Sequence, residues 1–316
     1  MGRVDRPELI VIAGPTGVGK TAAAVALAHR LPVEVISADS RQVYRGLDVA
    51  TGKPTTEERR AVPHHLLDVV DPDDRYDAAR FRRDAAGCVE MIRARGRLPV
   101  IVGGTGLYIR ALVRGLDPAP PADPAFRNEL AGVAAKAGRA ALHARLAAVE
   151  PALAERLHPN DQVRVIRALE MLQAGSAVGA ARARWREPGP LYDVRYFGLT
   201  LDREILAGRL RARAAAMVEA GLEVEVQRLL ARGYSPTLPA LQGIGYREFV
   251  QVVRGTLARA EALRLMQRDT VRYAKRQWTW FVREPGIEWI DVEAAGGPAA
   301  VATAIEARLQ TGGGIE

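Results

Sequence analysis

Leu9-Ile-Val-Ile-Ala13-Gly14-Pro15-Thr16-Gly17-Val18-Gly19-Lys20-Thr21 decides the reading of the fold. Five apolar residues run into a glycine-rich turn, and an Ala-rich helical stretch from Thr21 to Arg30 follows it. The turn fits G-x-x-x-x-G-K-[ST] and lies where that pattern has meaning, after a strand and at the start of a helix. In such a loop successive N–H groups point inward around a phosphate, and the helix N-terminus adds its dipole. Lys20 supplies a point charge and Thr21 a hydroxyl for Mg²⁺. The bland alternative is a glycine turn that only packs a helix on a strand.

Outward from this motif the chain alternates strands and helices. Val33–Ser37 is read as a second strand, Leu66–Val70 as a third and Pro99–Val102 as a fourth, with helices over about 77–95 and through Leu112. Apolar strands separated by helices imply a parallel sheet buried on both faces. Prolines 118, 120, 121 and 124 then punctuate the chain, and an Ala-rich helical stretch runs from about 123 to 181. Strand alternation returns at Tyr192–Leu201. Long helices are expected over 203–232, 246–254 and 259–281, with a last strand at Ile287–Asp291 and a frayed glycine tail. The expected fold class is α/β, with a core formed by residues 1–116 and 192–316 and an all-helical insertion over 117–191.

Composition excludes several classes. The 316 residues are 48% hydrophobic and 26% charged, an ordinary globular balance. No stretch reaches the roughly 18 apolar residues of a membrane span, and no secretory segment opens the chain. A lone Cys88 rules out an internal disulfide framework and suits the cytoplasm. The net charge of +8 is uneven: residues 160–283 hold 21 basic against 12 acidic side chains. That excess is a footprint for a polyanion. Against it, 41 of the 45 cations are Arg, a bias that would decorate any surface.

The motif specifies phosphate and leaves the chemistry open. No N-K-x-D is present, which disfavours a GTPase, and the fourth strand ends in Gly103-Gly104-Thr105 rather than in the acidic residue of an ATPase. In a doubly wound sheet ligands bind beyond the strand C-termini. Asp39, after the second strand, is there either a proton acceptor or a cap for the next turn. Thr105, after the fourth, either donates into the same mouth or caps the next helix. His64 and His65 point different ways with no third ligand, so a structural or solvent-facing role is expected. A small-molecule kinase and an RNA-binding nucleotide sensor remain alternatives.

A wider set of motifs carries a resemblance. Gly14–Thr21 is followed by Asp39-Ser40-Arg41-Gln42-Val43-Tyr44, Thr51-Gly-Lys-Pro54, Pro63-His-His-Leu66 with Asp68 and Asp71-Pro72, and Gly103–Tyr108. Later come Asn160-Asp161, Arg164, Arg167–Glu170, Gln242-Gly243-Ile244-Gly245-Tyr246-Arg247 and Ala274–Gln277 with Trp278 and Trp280. In this order the set resembles the tRNA dimethylallyltransferases, from Leu9 to about Asp291. The resemblance implies a P-loop NTPase-like core and transfer of a dimethylallyl group from dimethylallyl diphosphate to N6 of adenosine 37, in tRNAs reading codons that begin with U. It makes Asp39 the general base and Thr105 and Arg127 orienting groups, and has the phosphate loop and Mg²⁺ hold a diphosphate leaving group.

It also assigns contacts with the tRNA anticodon stem-loop to Asp39–Gln42, Thr105, Arg127, Val163, Arg164, Val165, Ile166, Arg167 and Gln242–Arg247. On the residues alone, Arg164 and Arg167 equally make a solvated stripe. Arg268, Arg272, Lys275 and Arg276, interleaved with Tyr273, Trp278 and Trp280, suit RNA contact; the Trp residues equally suit a core. Nothing demands more than a monomer.

Overall fold

The computed structural model describes residues 8–116, 120, 122–175 and 190–311. Six strands form one wholly parallel sheet: β1 Leu9–Ala13, β2 Val33–Ala38, β3 His64–His65, β4 Leu98–Gly103, β5 Val194–Thr200 and β6 Ile287–Asp291. Their order is β3-β2-β4-β1-β5-β6. Alternate residues serve opposite faces. Leu9 and Val11 join one core with Ile36, Phe81, Ile101, Phe249 and Phe281, while Ile10 and Ile12 join another with Leu27, Val35, Phe197 and Ile305. Helices cover both faces, as a fully parallel sheet requires.

Register sets the strand ends level. Ala13 pairs with Gly103 and with Gly198, and Ala38 pairs with the same Gly103. The residues that follow β1, β2 and β4 therefore emerge together, which brings the phosphate loop, Asp39 and Thr105 to one mouth. The helices of this unit are α1 Lys20–Ala28, α2 Thr56–Ala61, α3 Ala78–Ala94 and α4 Gly106–Arg114. After the insertion come α9 Arg203–Glu219, α10 Leu222–Ala231, α11 Tyr246–Val253, α12 Arg259–Phe281 and α13 Pro298–Thr311.

The chain divides into two compact units, Met1–Gly115 with Pro190–Glu316, and Leu116–Gly189. The second unit carries α5 Pro124–Ala137, α6 Arg139–Val149, the short α7 Pro151–Ala154 and α8 Gln162–Gln173. Leu130, Leu142, Leu146 and Val165 are fully buried at its centre.

Three expectations change. Leu66–Val70 is not a strand: Leu66 and Asp68 have φ of 62° and 56°, a left-handed turn that breaks the ladder after His65. Only Val70 pairs, in an isolated bridge with Tyr44. The long helix over 203–232 is two, parted at Gly221 with φ 96°. Beyond β6 the chain forms α13, which buries Val301, Ala302 and Ile305 against the sheet. The glycine tail and most of residues 176–191 lie outside the described residues.

Candidate active site

A cavity of about 480 Å³ opens above the phosphate loop, lined among others by Thr16, Lys20, Thr21, Asp39, Arg213 and Gln277. The loop fits only with glycine at its turns. Gly17 has φ 79°, and a Cβ there would lie 2.7 Å from Leu210 Cδ2. Lys20 Nζ donates to the carbonyls of Gly14 at 2.9 Å and Pro15 at 2.8 Å. Burial pushes its ammonium down to about 7; Asp39 opposes that shift and Arg213 adds to it. A half-buried cation held by backbone dipoles is poised to gain from an incoming anion.

Asp39 caps the turn that follows it and also stands at the mouth. Its Oδ1 accepts from the N–H groups of Arg41 at 2.8 Å and Gln42 at 3.4 Å, an Asx turn. The same residue lines the phosphate cavity and a neighbouring one of about 310 Å³. Thr16, Thr51 and Arg213 share that double position. Ser40, Arg41, Gln242, Gly243, Ile244, Arg247, Tyr273 and Arg276 line only the second cavity.

Thr105 begins α4 but makes no side-chain cap. Its Oγ1 accepts instead from Ser40 N at 3.1 Å, and its own N–H donates to Ala38 O at 3.1 Å. It ties the end of β4 to the residue after Asp39. Burial pushes the Tyr273 phenol up to about 12, helped by Asp39 and opposed by Arg41 and Thr105.

Gln277, on α12, is buried. Its Oε1 accepts from Thr16 N at 2.9 Å and its Nε2 donates to Gly104 O at 2.9 Å. Gly104 must be glycine for this: a Cβ there would lie 2.1 Å from Gln277 Nε2.

Several groups in the cavity had no assigned part. Arg213 donates from Nη2 to Gly52 O at 3.4 Å, and burial pushes its guanidinium below the usual range against Asp39 and Glu58. The signal for it is positional. Leu206, Leu210, Arg213 and Met217 mark one stripe of α9, so a cation there faces inward. Lys53 lines the cavity but is committed to Tyr44 O at 2.7 Å, Asp48 at 2.6 Å and Asp68. Arg209 also lines it.

Of His64 and His65, the first lines the phosphate cavity. His65 Nε2 meets Glu34 at 2.6 Å, and His64 Nδ1 meets Val62 O at 2.8 Å, with burial pushing the His64 ring down. Among the described residues no cluster of three His, Cys, Asp or Glu could hold a metal.

Other assigned residues hold contacts within the protein. Gln42 spends its amide on Ser37 at 2.9 Å and on the carbonyls of Thr51 and Gly52. Arg41 donates to Pro239 O at 2.5 Å, and Gln242 to Pro236 O at 2.8 Å. Tyr246 is buried, its hydroxyl donating to Glu225 at 2.5 Å, so its side chain serves packing. Gly245 opens α11 at φ 92°. Arg247 pairs with Glu248 at 2.5 Å and with Asp269.

On α12, Arg268, Arg272, Lys275 and Arg276 are exposed, although Arg268 meets Asp269 at 2.8 Å and Arg272 at 3.6 Å. The tryptophans follow the packing alternative: Trp278 lies 4.7 Å from Trp289, and Trp280 covers Gly106.

In the helical unit, Arg127 and Arg167 converge on Glu170. Arg127 gives a two-toothed pair at 2.9 and 2.8 Å, Arg167 adds a third bond, and Asp123 N–H a fourth at 2.6 Å. Burial raises the Glu170 carboxyl, but these bonds outweigh it and bring it down to about 2. Arg167 also donates to Pro120 O at 2.9 Å. Val165 is buried, so its side chain is closed to RNA, and Ile166 is half-buried. Val163 and Arg164 are exposed, Arg164 meeting Asp161 at 3.4 Å.

Comparisons with known proteins agree in one direction. A family model described as IPP transferase matches residues 42–284, and one described as Isopentenyl transferase matches residues 7–68. A tRNA dimethylallyltransferase 1 of Syntrophotalea carbinolica is 50% identical over 290 residues, covering 90% of this chain and 91% of its own. A tRNA dimethylallyltransferase of Desulforudis audaxviator is 45% identical, covering 96% and 98%.

The solved tRNA isopentenylpyrophosphate transferase of Bacillus halodurans has a TM-score of 0.70 at 38% identity, over 96% of this chain and 97% of that one. A eukaryotic dimethylallyltransferase, solved acting on tRNA, has a TM-score of 0.75 at 27% identity, over 98% and 80%. The chain is therefore a transferase with the fold of these enzymes, and it belongs to the IPP transferase family.

Proposed function

We propose that this protein transfers a dimethylallyl group from dimethylallyl diphosphate to N6 of adenosine 37 in tRNAs that read codons beginning with U. The observation that carries the reading is the position of Asp39 on the wall common to two cavities. One cavity holds Lys20 and shares Arg213 with its neighbour, which suits a diphosphate; the neighbour, with Arg41, Arg247 and Arg276 on its wall, suits an extruded base.

In the reaction the allylic C–O bond breaks and a C–N bond forms, with the bond electrons leaving on the diphosphate. Lys20, Arg213 and the loop N–H groups stabilise the charge that grows on the departing oxygen. Adenine N6 is a weak nucleophile because its lone pair is delocalised into the ring. Asp39 accepts the proton that N6 loses. Thr105 holds the Asp39 turn from the side, through Ser40 N.

The donor set fits Mg²⁺. The Thr21 hydroxyl is a hard oxygen donor on the wall of the diphosphate cavity, and this ion is commonly held by one or two protein oxygens plus substrate phosphates. When bound there it would supply charge neutralisation for the diphosphate. We extend the reading to a cytoplasmic monomer. No helix among the described residues is long and apolar enough to cross a membrane.

The test is incubation with labelled dimethylallyl diphosphate and unmodified tRNA, without ATP. Label entering the RNA at adenosine 37 is the expected result. ATP consumption driven by a small alcohol, with no label in RNA, would overturn the reading in favour of a kinase.

A further inference from the structure

We infer that Gln277 is a positioning residue that sets the separation between the leaving group and the base. This rests on the reading of the site just given. The phosphate loop follows β1 and the Thr105 turn follows β4, so they belong to neighbouring strands. Above the strand ends the Gln277 side chain joins them. Its Oε1 takes the N–H of Thr16, and its Nε2 gives to the carbonyl of Gly104.

Each end of that bridge leads to the chemistry. Thr16 shares with Asp39 the wall between the cavities. Gly104 precedes Thr105, whose hydroxyl oxygen takes the N–H of Ser40 beside Asp39. One amide therefore couples the diphosphate side to the proton-accepting side, and α12 delivers it. The glycine at 104 keeps the approach close, since any Cβ would collide with the amide. An amide meets both needs at neutral pH: the loop side needs an acceptor and the turn side a donor, and the Gly104 end is buried.

Both ends of the bridge are spent on backbone groups, so its loss acts through geometry. Misplacement of about 1 Å between reacting partners lowers a rate by about 10²-fold. Gln277→Ala is expected to lower the single-turnover rate of prenyl transfer about 10- to 100-fold, leaving the affinities for inorganic diphosphate and tRNA within about threefold. Gln277→Glu is the sharper variant. Its ionised carboxylate can accept from Thr16 but repels Gly104 O, whereas its protonated form restores both bonds.

The variant-to-wild-type rate ratio is therefore expected to rise as pH falls from 8 to 5.5, about as the carboxyl takes up its proton. Lys20, Asp39, Lys53, Glu58, His64, Arg209 and Arg213 line the same cavity, and Tyr273 stands one turn back on α12. They are common to both proteins, so the ratio removes their own titration. Equal rates for wild type and Gln277→Ala would overturn the proposal. So would a flat ratio for a folded Gln277→Glu, which gives the test if the alanine variant does not fold. Wild type that fails to prenylate tRNA at all would instead overturn the functional reading.

Discussion

At the mouth of the sheet, Lys20 and Arg213 are half-buried and give polar hydrogens to backbone carbonyls. In the helical unit, Arg127 and Arg167 close on one buried carboxylate, Glu170. The electrostatic outcomes are opposite. Burial pushes both mouth cations below their usual range, while the arginines bring Glu170 down to about 2. A cation resting on peptide dipoles gains when an anion arrives; one already closed on a carboxylate must first exchange partners.

The proposed reaction belongs to the mouth, and Asp39→Asn is the strongest way to break that assignment. Asparagine keeps an oxygen for the N–H groups of Arg41 and Gln42, so the turn survives while the proton acceptor is lost. The single-turnover rate should fall about 10²- to 10⁴-fold, with diphosphate affinity nearly unchanged in calorimetry. A full rate in this variant would leave Asp39 only its role in the turn.

Glu170→Gln probes the other region and comes next in size. Glu170 is pulled down from an ordinary 4.5, so its contribution is fully present above that pH and is lost as pH falls toward about 2. Neutralising it at pH 7 should cost about 3 kcal/mol, read as faster amide exchange in α5 and α8 of the whole protein. If tRNA binding instead tightened as Arg127 and Arg167 came free, their pairing would be a restraint on RNA contact rather than the unit's scaffold.

Lys20 gives a smaller, pH-dependent effect at the mouth. Its ammonium is cationic below about 7 and neutral above, and a bound polyanion draws the proton back. Above pH 7 diphosphate binding should therefore take up a proton, and each further pH unit should weaken it by up to about tenfold. Calorimetry at pH 8 in two buffers of different ionisation heat measures the uptake. Lys20→Met should abolish the part that belongs to the lysine; unchanged uptake would assign it elsewhere.

What sequence disclosed follows the same division. The strand, loop and helix around Gly14–Thr21 were legible because apolar alternation and glycine spacing act over adjacent residues. Asp39 and Thr105 were legible because parallel strands end level. Leu66–Val70 misled: its apolar residues are buried by a left-handed turn, which puts Asp68 against Lys53 and Arg59. Arg213 was hidden among the arginines of α9, since counting charge does not say which one occupies the apolar stripe. The Gln277 bridge joins residues 261 positions apart, and no local pattern marks such a pairing.

Arg164 supplies the smallest and finest test. It and Arg167 lie one turn apart on α8, and charge alone makes them equivalent partners for phosphate. Their surroundings differ. Arg164 is exposed and meets Asp161 at 3.4 Å, an open surface pair of about 0–1 kcal/mol that an RNA phosphate displaces easily. Arg167 is bound to buried Glu170 and to Pro120 O. If Arg164 alone meets RNA, Arg164→Gln should flatten the salt dependence of tRNA binding by about one counterion. Arg167→Gln should leave the slope and lower stability instead. The double variant should then lose about one counterion rather than two, and a loss of two would show that RNA wins Arg167 away from Glu170.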